Sequence, residues 1–141
     1  MNNTMLEIAL SQWGITEWPG EQHNPEVLKY FKDCGFDTIK DDETSWCSAF
    51  MCWCALKAGI PHTKSLVARS WMSWGKRVFE PKVGDVVVFK RGSLSWQGHV
   101  GLYIRSTGTQ VYTLGGNQGN TVNITPQKGI DLLCCQRWEQ Q

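Results

Sequence analysis

The order of apolar and polar positions divides the chain into a helical first half and a second half of short strands. Helices are predicted over residues 4–13, 26–32 and 46–58, followed by a shorter helix over 65–74. Gly14, Gly59 and Gly75 come directly after three of these segments, and glycine commonly follows the last turn of a helix. Pro25 suits the first position of the second helix. The polar segment 41–45 is expected to cap the third helix, because its side chains accept hydrogen bonds from free backbone amides.

The pattern changes after Pro81 and Gly84-Asp85, which mark a turn. Five short segments rich in β-branched and aromatic residues are predicted as strands, and they cover 86–90, 99–105, 110–114, 121–124 and 132–138. Their short spacing favours antiparallel pairing. Helices first and strands afterwards are typical of an α+β domain, in which N-terminal helices pack on an antiparallel β-sheet. No linker or repeat interrupts the pattern, so residues 1–141 are expected to form a single domain.

Composition and charge exclude several classes of partner. With 141 residues, 41% of them apolar, the chain is long enough to fold alone as one domain. It contains no apolar run of about eighteen residues, so no stable membrane insertion is expected. Fourteen basic and thirteen acidic residues are scattered rather than collected into a stripe, which argues against nucleic acid as a partner. The domain is expected to act as a monomer.

The chain contains six cysteines, which could suggest a disulfide framework. Such frameworks usually serve domains too small to bury a core, and this domain is large enough without them. Cys52 and Cys54 lie in an apolar helical stretch, where a thiol commonly acts as a small hydrophobic group, and Cys134 and Cys135 are adjacent. Most of these thiols are therefore expected to be reduced and structural.

Cys47 is the first candidate for a chemical role. It lies at the predicted start of the third helix, where free amides and the positive end of the helix dipole stabilise a thiolate. The same amides could donate to the oxyanion that forms when a carbonyl is attacked. The alternative is a buried thiol without a chemical role, since a free cysteine is often simply packed.

His99 offers a base for this nucleophile. The segment Gly98-His99-Val100-Gly101 begins an apolar strand, and its glycines let another element approach closely. His23 lies in a polar loop and His62 in a turn, so both are expected to be surface groups. A third group must hold the imidazole in the productive tautomer. Asn117 follows the strand over 110–114 and could accept from the imidazole, although it could also be a plain turn residue.

Four ordered motifs resemble the papain-like cell-wall hydrolases of the NlpC and CHAP type, in a compact subgroup found in phages and bacteria. The motifs are Trp46-Cys47-Ser48-Ala49-Phe50, the turn and strand over 81–89, Gly98-His99-Val100-Gly101, and Leu114-Gly115-Gly116-Asn117-Gln118. The resemblance covers nearly the whole chain. It implies a papain-like core and a cysteine-dependent amidase or endopeptidase that acts on bacterial peptidoglycan.

The resemblance also implies roles for individual residues. Cys47 would be the nucleophile, His99 the base and Asn117 the orienting residue, with Gln118 in reserve. CHAP-type enzymes often carry an acidic residue shortly before the asparagine, and this chain has none over 114–117. No metal or organic cofactor is required for such chemistry. Asp85 is expected to cap backbone amides rather than join the reaction.

Substrate contacts are expected from four residues, namely Trp46, Trp96, Gln118 and Glu17. Glu17 could contact the amine of a peptide stem. The chain holds eight tryptophans, and the alternative for each of them is a tryptophan-rich core, because large aromatic side chains dominate the energetics of burial.

Residues 1–20 lack the basic region, apolar run and cleavage site of a secretory signal, so synthesis is expected to end in the cytoplasm. The protein would then reach the cell wall after membrane lesion or injection. A phage endolysin without a separate wall-binding domain is expected, and an injected antibacterial effector and a catalytically silent wall-binding protein are the alternatives. A zinc module built from Cys47, Cys52, Cys54 and His62 is disfavoured, because Cys52 and Cys54 direct their thiols away from each other on one helix.

Overall fold

The computed structural model describes residues 4–18, 22–38 and 45–139. Its helices are α1 (Met5–Ser11), α2 (Pro25–Lys32), α3 (Cys47–Lys57) and two 3₁₀ helices (Ala68–Ser73 and Gly129–Asp131). Its strands are β1 (Lys76–Val78), β2 (Val86–Lys90), β3 (Gly98–Ser106), β4 (Gln110–Gln118), β5 (Thr121–Lys128) and β6 (Leu132–Arg137). The α+β class expected from the sequence is confirmed.

The described strands form one antiparallel sheet in the order β1-β6-β2-β3-β4-β5. All five predicted strands are present. The sequence did not indicate β1, which is three residues long and mostly exposed, and therefore shows no alternation of apolar and polar positions. β5 continues through Pro126 because it lies at the edge of the sheet, where the missing amide donor of proline is tolerated.

The helices α1, α2 and α3 each begin within one residue of the predicted start. Thr4 and Glu7 form a capping box at α1, and the Asn24 side chain accepts from the Glu26 amide at α2. Most of the segment expected to cap α3, residues 41–44, lies outside the described residues. Only a 3₁₀ helix, Ala68–Ser73, replaces the predicted helix over 65–74, because the backbone of Val67 is extended.

The core of the domain is α3 packed against the sheet. Every residue of α3 from Cys47 to Ala55 is buried. Its first turn lies directly on the backbone of β4, since a Cβ atom at Gly116 would be 2.7 Å from Cζ3 of Trp46 and 2.8 Å from Cβ of Phe50. The absence of a side chain at Gly116 thus sets how closely the start of α3 approaches the sheet.

The 3₁₀ helix Ala68–Ser73 packs on the sheet and is hydrogen-bonded to α3. Nε1 of Trp71 donates to Oγ of Ser48 over 2.9 Å, and the same hydroxyl donates to the carbonyl of Ser65 over 2.6 Å. This buried chain of hydrogen bonds links the first turn of α3 to the segment that precedes the sheet.

Asp85 acts as a structural cap, as expected. Its Oδ2 accepts from the amide of Lys82 over 2.7 Å, and its two carboxylate oxygens accept from the guanidinium of Arg137 over 2.8 and 2.7 Å. These bonds tie the turn before β2 to the end of β6.

The six thiols are all free of disulfide bonds, and five of them are buried. In the parts of the chain that the structure describes, no helix is both long and apolar enough to cross a membrane.

Candidate active site

The start of α3 and the ends of two strands form a cleft of about 420 Å³. Cys47, the first residue of α3, lines this cleft together with His99 from the start of β3 and Gln118 from the end of β4. Cys47 is only 3% exposed and His99 only 5% exposed. The fold therefore brings together two groups that the sequence singled out, at the bottom of one depression.

The imidazole of His99 is held by Gln118. Nε2 of His99 lies 2.8 Å from Oε1 of Gln118. The amide of Gln118 cannot turn freely, because its Nε2 donates to the carbonyls of Thr113 and Asn123 over 3.0 and 2.8 Å. An amide oxygen only accepts, so the imidazole carries its proton on Nε2 and its lone pair on Nδ1.

No hydrogen bond joins the described residues Asn117 and His99. Its Nδ2 lies 3.4 Å from Oγ of Ser45, and its backbone is left-handed with a φ of 60°. The pairing of β4 with β5 shifts in register between Gly115 and Gln118, which is a bulge. The bulge brings Gln118, the reserve residue of the sequence analysis, to the imidazole instead of Asn117. The tolerance of asparagine for left-handed turns is the one sequence signal for this arrangement.

Burial dominates the electrostatics of the site. It raises the pKa of the Cys47 thiol, and hydrogen bonds from the backbone of Val100 and the side chain of Ser45 oppose the rise without cancelling it. Burial also lowers the pKa of His99 to about 4, although the hydrogen bond to Gln118 raises it. Both groups are therefore neutral in the free site near pH 7. The hydrogen bond from the backbone of Ser48, at the start of α3, lowers the pKa of the thiol, but desolvation of the charged form outweighs it.

Arg91 is a cleft residue that the sequence analysis did not single out. It directly follows β2, lines the cleft with Cys47, and donates from Nη2 to Oε1 of Gln127. Its positive charge lowers the pKa values of both Cys47 and His99. One feature could have identified Arg91 as a cleft residue. It follows β2, the strand that pairs with the strand of His99.

Two of the predicted substrate contacts lie elsewhere. Trp46 is completely buried, packs against Tyr30 and Phe50, and donates from Nε1 to Oε1 of Glu17 over 2.6 Å. Neither Trp46 nor Glu17 is among the described residues that line the cleft. Trp46 therefore belongs to the tryptophan-rich core. Its indole N–H is hydrogen-bonded to one carboxylate oxygen of Glu17, the residue that was expected to contact a peptide amine.

Trp96 does lie at the cleft. Its side chain is 60% exposed and borders an apolar continuation of about 440 Å³. The apolar part of this continuation is lined by Leu66, Val67, Ala68 and Trp96. The cleft is thus an open groove with an apolar half and a polar half.

The four residues of the zinc alternative do not form a ligand set. Across residues 4–18, 22–38 and 45–139, no group of three or more His, Cys, Asp or Glu side chains is arranged to hold a metal ion. Nδ1 of His62 instead accepts from the amide of Lys64 over 3.0 Å.

Comparison with known proteins gave a family match and a structural match. A family model described as the CHAP domain matches residues 39–117. The fold is similar to a crystal structure from Staphylococcus aureus described as similar to a lipoprotein of the NLP/P60 family, with a TM-score of 0.58 and 18% sequence identity. The match covers 97% of this chain and 41% of that chain, so the chain spans about two fifths of its length. No match was found among curated proteins. The likeness to the solved structure confirms the papain-like core.

Proposed function

The chain belongs to the CHAP domain family, a family of peptidoglycan hydrolases, and on that premise we propose that it cleaves an amide bond of bacterial peptidoglycan through Cys47. One observation carries the proposal. Cys47 and His99 line the same cleft, and the imidazole is hydrogen-bonded through Nε2 so that Nδ1 is available as a base. A thiol and an imidazole with a free lone pair are the two groups that nucleophilic catalysis by a thiol uses.

The proposed reaction begins with both groups neutral. Nδ1 of His99 accepts the thiol proton as the sulfur of Cys47 attacks the amide carbonyl. The backbone amides at the start of α3, which lack partners within the helix, stabilise the oxyanion. The imidazolium then donates its new proton to the departing amine, and water hydrolyses the thioester to release the second product.

Gln118 acts as a positioning residue in this scheme. Its amide oxygen accepts from Nε2 and thereby keeps the lone pair of His99 on Nδ1. Burial keeps the imidazole unprotonated in the free site, and the neutral amide adds no negative charge beside the ring that would reverse this. The amide nitrogen of Gln118, held by the carbonyls of Thr113 and Asn123, prevents the amide from turning its donor side to His99.

We also propose the finer assignments that the sequence suggests. The domain would act as a monomeric phage endolysin with one catalytic unit, on peptidoglycan reached after release into the host periplasm. An injected antibacterial effector would use the same cleft and the same chemistry. Amidase and endopeptidase action differ only in which peptide or glycan–peptide amide reaches Cys47, and Trp96 is the proposed contact in the apolar half of the groove.

Release of soluble fragments from dye-labelled peptidoglycan tests the proposal. Wild type and Cys47→Ala are compared, with Cys34→Ala as the matched control, because Cys34 is a partly buried thiol that does not line the cleft. Wild type and the control are expected to release dye, and Cys47→Ala is not. Equal release by Cys47→Ala would rule out the thiol mechanism. Sedimentation of folded wild type with peptidoglycan, without any release, would instead support the silent wall-binding protein.

A further inference from the structure

The two halves of the groove meet at a cation. Both are lined by Ser45, Cys47, Arg91 and Gly98. The polar half continues along Asn117, Gln118, Thr125 and Gln127, and the apolar half continues towards Trp96. A substrate that lies along both halves of the groove and reaches Cys47 is therefore also beside Arg91.

Arg91 is held in position by an uncharged partner. Its hydrogen-bond partner is the neutral amide of Gln127, and Nε2 of Gln127 donates in turn to Oγ1 of Thr125 over 3.2 Å. Among the described residues, the cations in ion pairs are Lys29, Lys57, Lys76 and Arg137, and no carboxylate pairs with Arg91. A guanidinium has five N–H donors in a planar fork, so most of this donor capacity remains for a ligand.

The uncompensated charge also bears on the reaction. Arg91 lowers the pKa of His99, which opposes formation of the imidazolium that the proposed mechanism requires. A carboxylate bound to Arg91 would offset this charge. The imidazolium therefore forms more readily when an anionic group of the substrate is bound to Arg91 than when no anion is bound there.

We propose that Arg91 is a specificity-determining residue that binds a free carboxylate of the peptidoglycan peptide beside the bond to be cleaved. The inference rests on the proposed function, whose substrate class it narrows to acidic peptides. A carboxylate accepts two parallel hydrogen bonds from a guanidinium, whereas a carboxamide in the same place cannot reproduce both. Amidation of that carboxyl group is then expected to make peptidoglycan a poor substrate.

The anion site can be tested without the natural substrate, by alkylation of Cys47 with iodoacetate and with iodoacetamide. Both reagents react with the thiolate, so the ratio of their rates is independent of the pKa of Cys47. Removal of the charge in Arg91→Gln is expected to lower the iodoacetate-to-iodoacetamide ratio roughly fivefold, since only the anion is attracted. Mass spectrometry of the peptide that contains Cys47 measures both rates.

Lys90→Gln is the matched control, because it removes the same charge one residue earlier from an exposed side chain outside the groove. Its ratio should equal that of wild type. An unchanged ratio in Arg91→Gln, or an equal fall in Lys90→Gln, would overturn the anion site.

The substrate is tested with a peptidoglycan stem peptide and its carboxamide counterpart. Wild type and Lys90→Gln should prefer the carboxylate by about ten- to hundredfold in kcat/KM, the range expected for a hydrogen bond to a charged group. Arg91→Gln should lose that preference, so that its kcat/KM values for the two peptides become equal. Equal cleavage of both peptides by wild type overturns this inference and leaves the hydrolase standing. If wild type cleaves neither peptide, the proposed function itself is contradicted, and the substrate assignment is lost with it.

Discussion

At the scale of single residues, the chemistry depends on how one amide is held. Gln118 presents only its oxygen to His99, because its nitrogen is engaged by the carbonyls of Thr113 and Asn123. Gln118→Ala should lower kcat by roughly a hundredfold, since general base catalysis by a positioned side chain contributes at least that much. Steady-state kinetics on a stem peptide measure the loss. A variant with unchanged kcat would show that the imidazole does not need this partner.

Asn117 provides the contrasting test. Its φ of 60° is a backbone conformation that glycine adopts readily, and its side chain is hydrogen-bonded to Ser45. Asn117→Gly should therefore keep kcat within about twofold of wild type, whereas Asn117→Val should destabilise the fold by about 1–2 kcal/mol. Kinetics and thermal unfolding separate the two effects. A large fall of kcat in a stable Asn117→Gly protein would return the orienting role to Asn117.

The pH dependence of kcat/KM reports the protonation of His99 in the free enzyme. The base must be unprotonated, and burial lowers its pKa to about 4. Activity should therefore persist below pH 6 and decline as the pH falls through about 4. Arg91→Gln should move this acid limb to higher pH, because the guanidinium lowers the pKa of His99. If the activity of wild type instead declined at a pH equal to or above the ordinary pKa of histidine, His99 would not have the lowered pKa on which this account depends.

Individual residues also show which parts of the candidate site the sequence could indicate. Cys47 and His99 could be singled out because a helix start and a glycine-flanked strand start are visible in the sequence. The choice between Asn117 and Gln118 depends on a bulge, which arises from the register between β4 and β5 and has no local pattern. Arg91 was missed for a related reason, since its importance comes from the lack of a carboxylate partner among the described residues.

At the scale of elements, the start of α3 is set by its contact with β4. A Cβ at Gly116 would lie 2.7 Å from the ring of Trp46, so Gly116→Ala forces α3 away from the sheet. This change should cost about 1–3 kcal/mol of unfolding free energy and should also lower kcat, because Cys47 moves with the helix. Gly108→Ala is the control, since nothing lies within 4 Å of a Cβ added there. Chemical denaturation would contradict this account if both variants were equally stable.

Most elements could be predicted because their residues carry local signals. Strands with β-branched and aromatic residues, and helices that begin at proline or end at glycine, were located within a few residues. β1 lacks such a signal, since it is short and exposed and forms only because β6 offers it an edge. The 3₁₀ helix at Ala68–Ser73 is likewise determined by its contacts with α3, including the hydrogen bond from Trp71 to Ser48.

At the scale of the whole molecule, the buried imidazole couples activity to stability. Between about pH 6.5 and 4 the unfolded chain binds a proton on this histidine and the folded protein does not. The unfolding free energy should therefore fall as the pH falls through this window, by about 3 kcal/mol in total, with no further loss from this group below pH 4. His99→Gln should remove this part of the loss. Denaturation curves at pH 7 and pH 4 would contradict the account if the variant lost as much stability as wild type.

The central claim is that Cys47 hydrolyses an amide bond of peptidoglycan, and mass spectrometry of fragments released in ¹⁸O-labelled water tests it most directly. Wild type should produce new amine ends and new carboxyl ends that contain one labelled oxygen, because water hydrolyses the thioester. Folded Cys47→Ala should produce neither. Identical fragments from the two proteins, or new ends confined to the sugar chain, would contradict the claim.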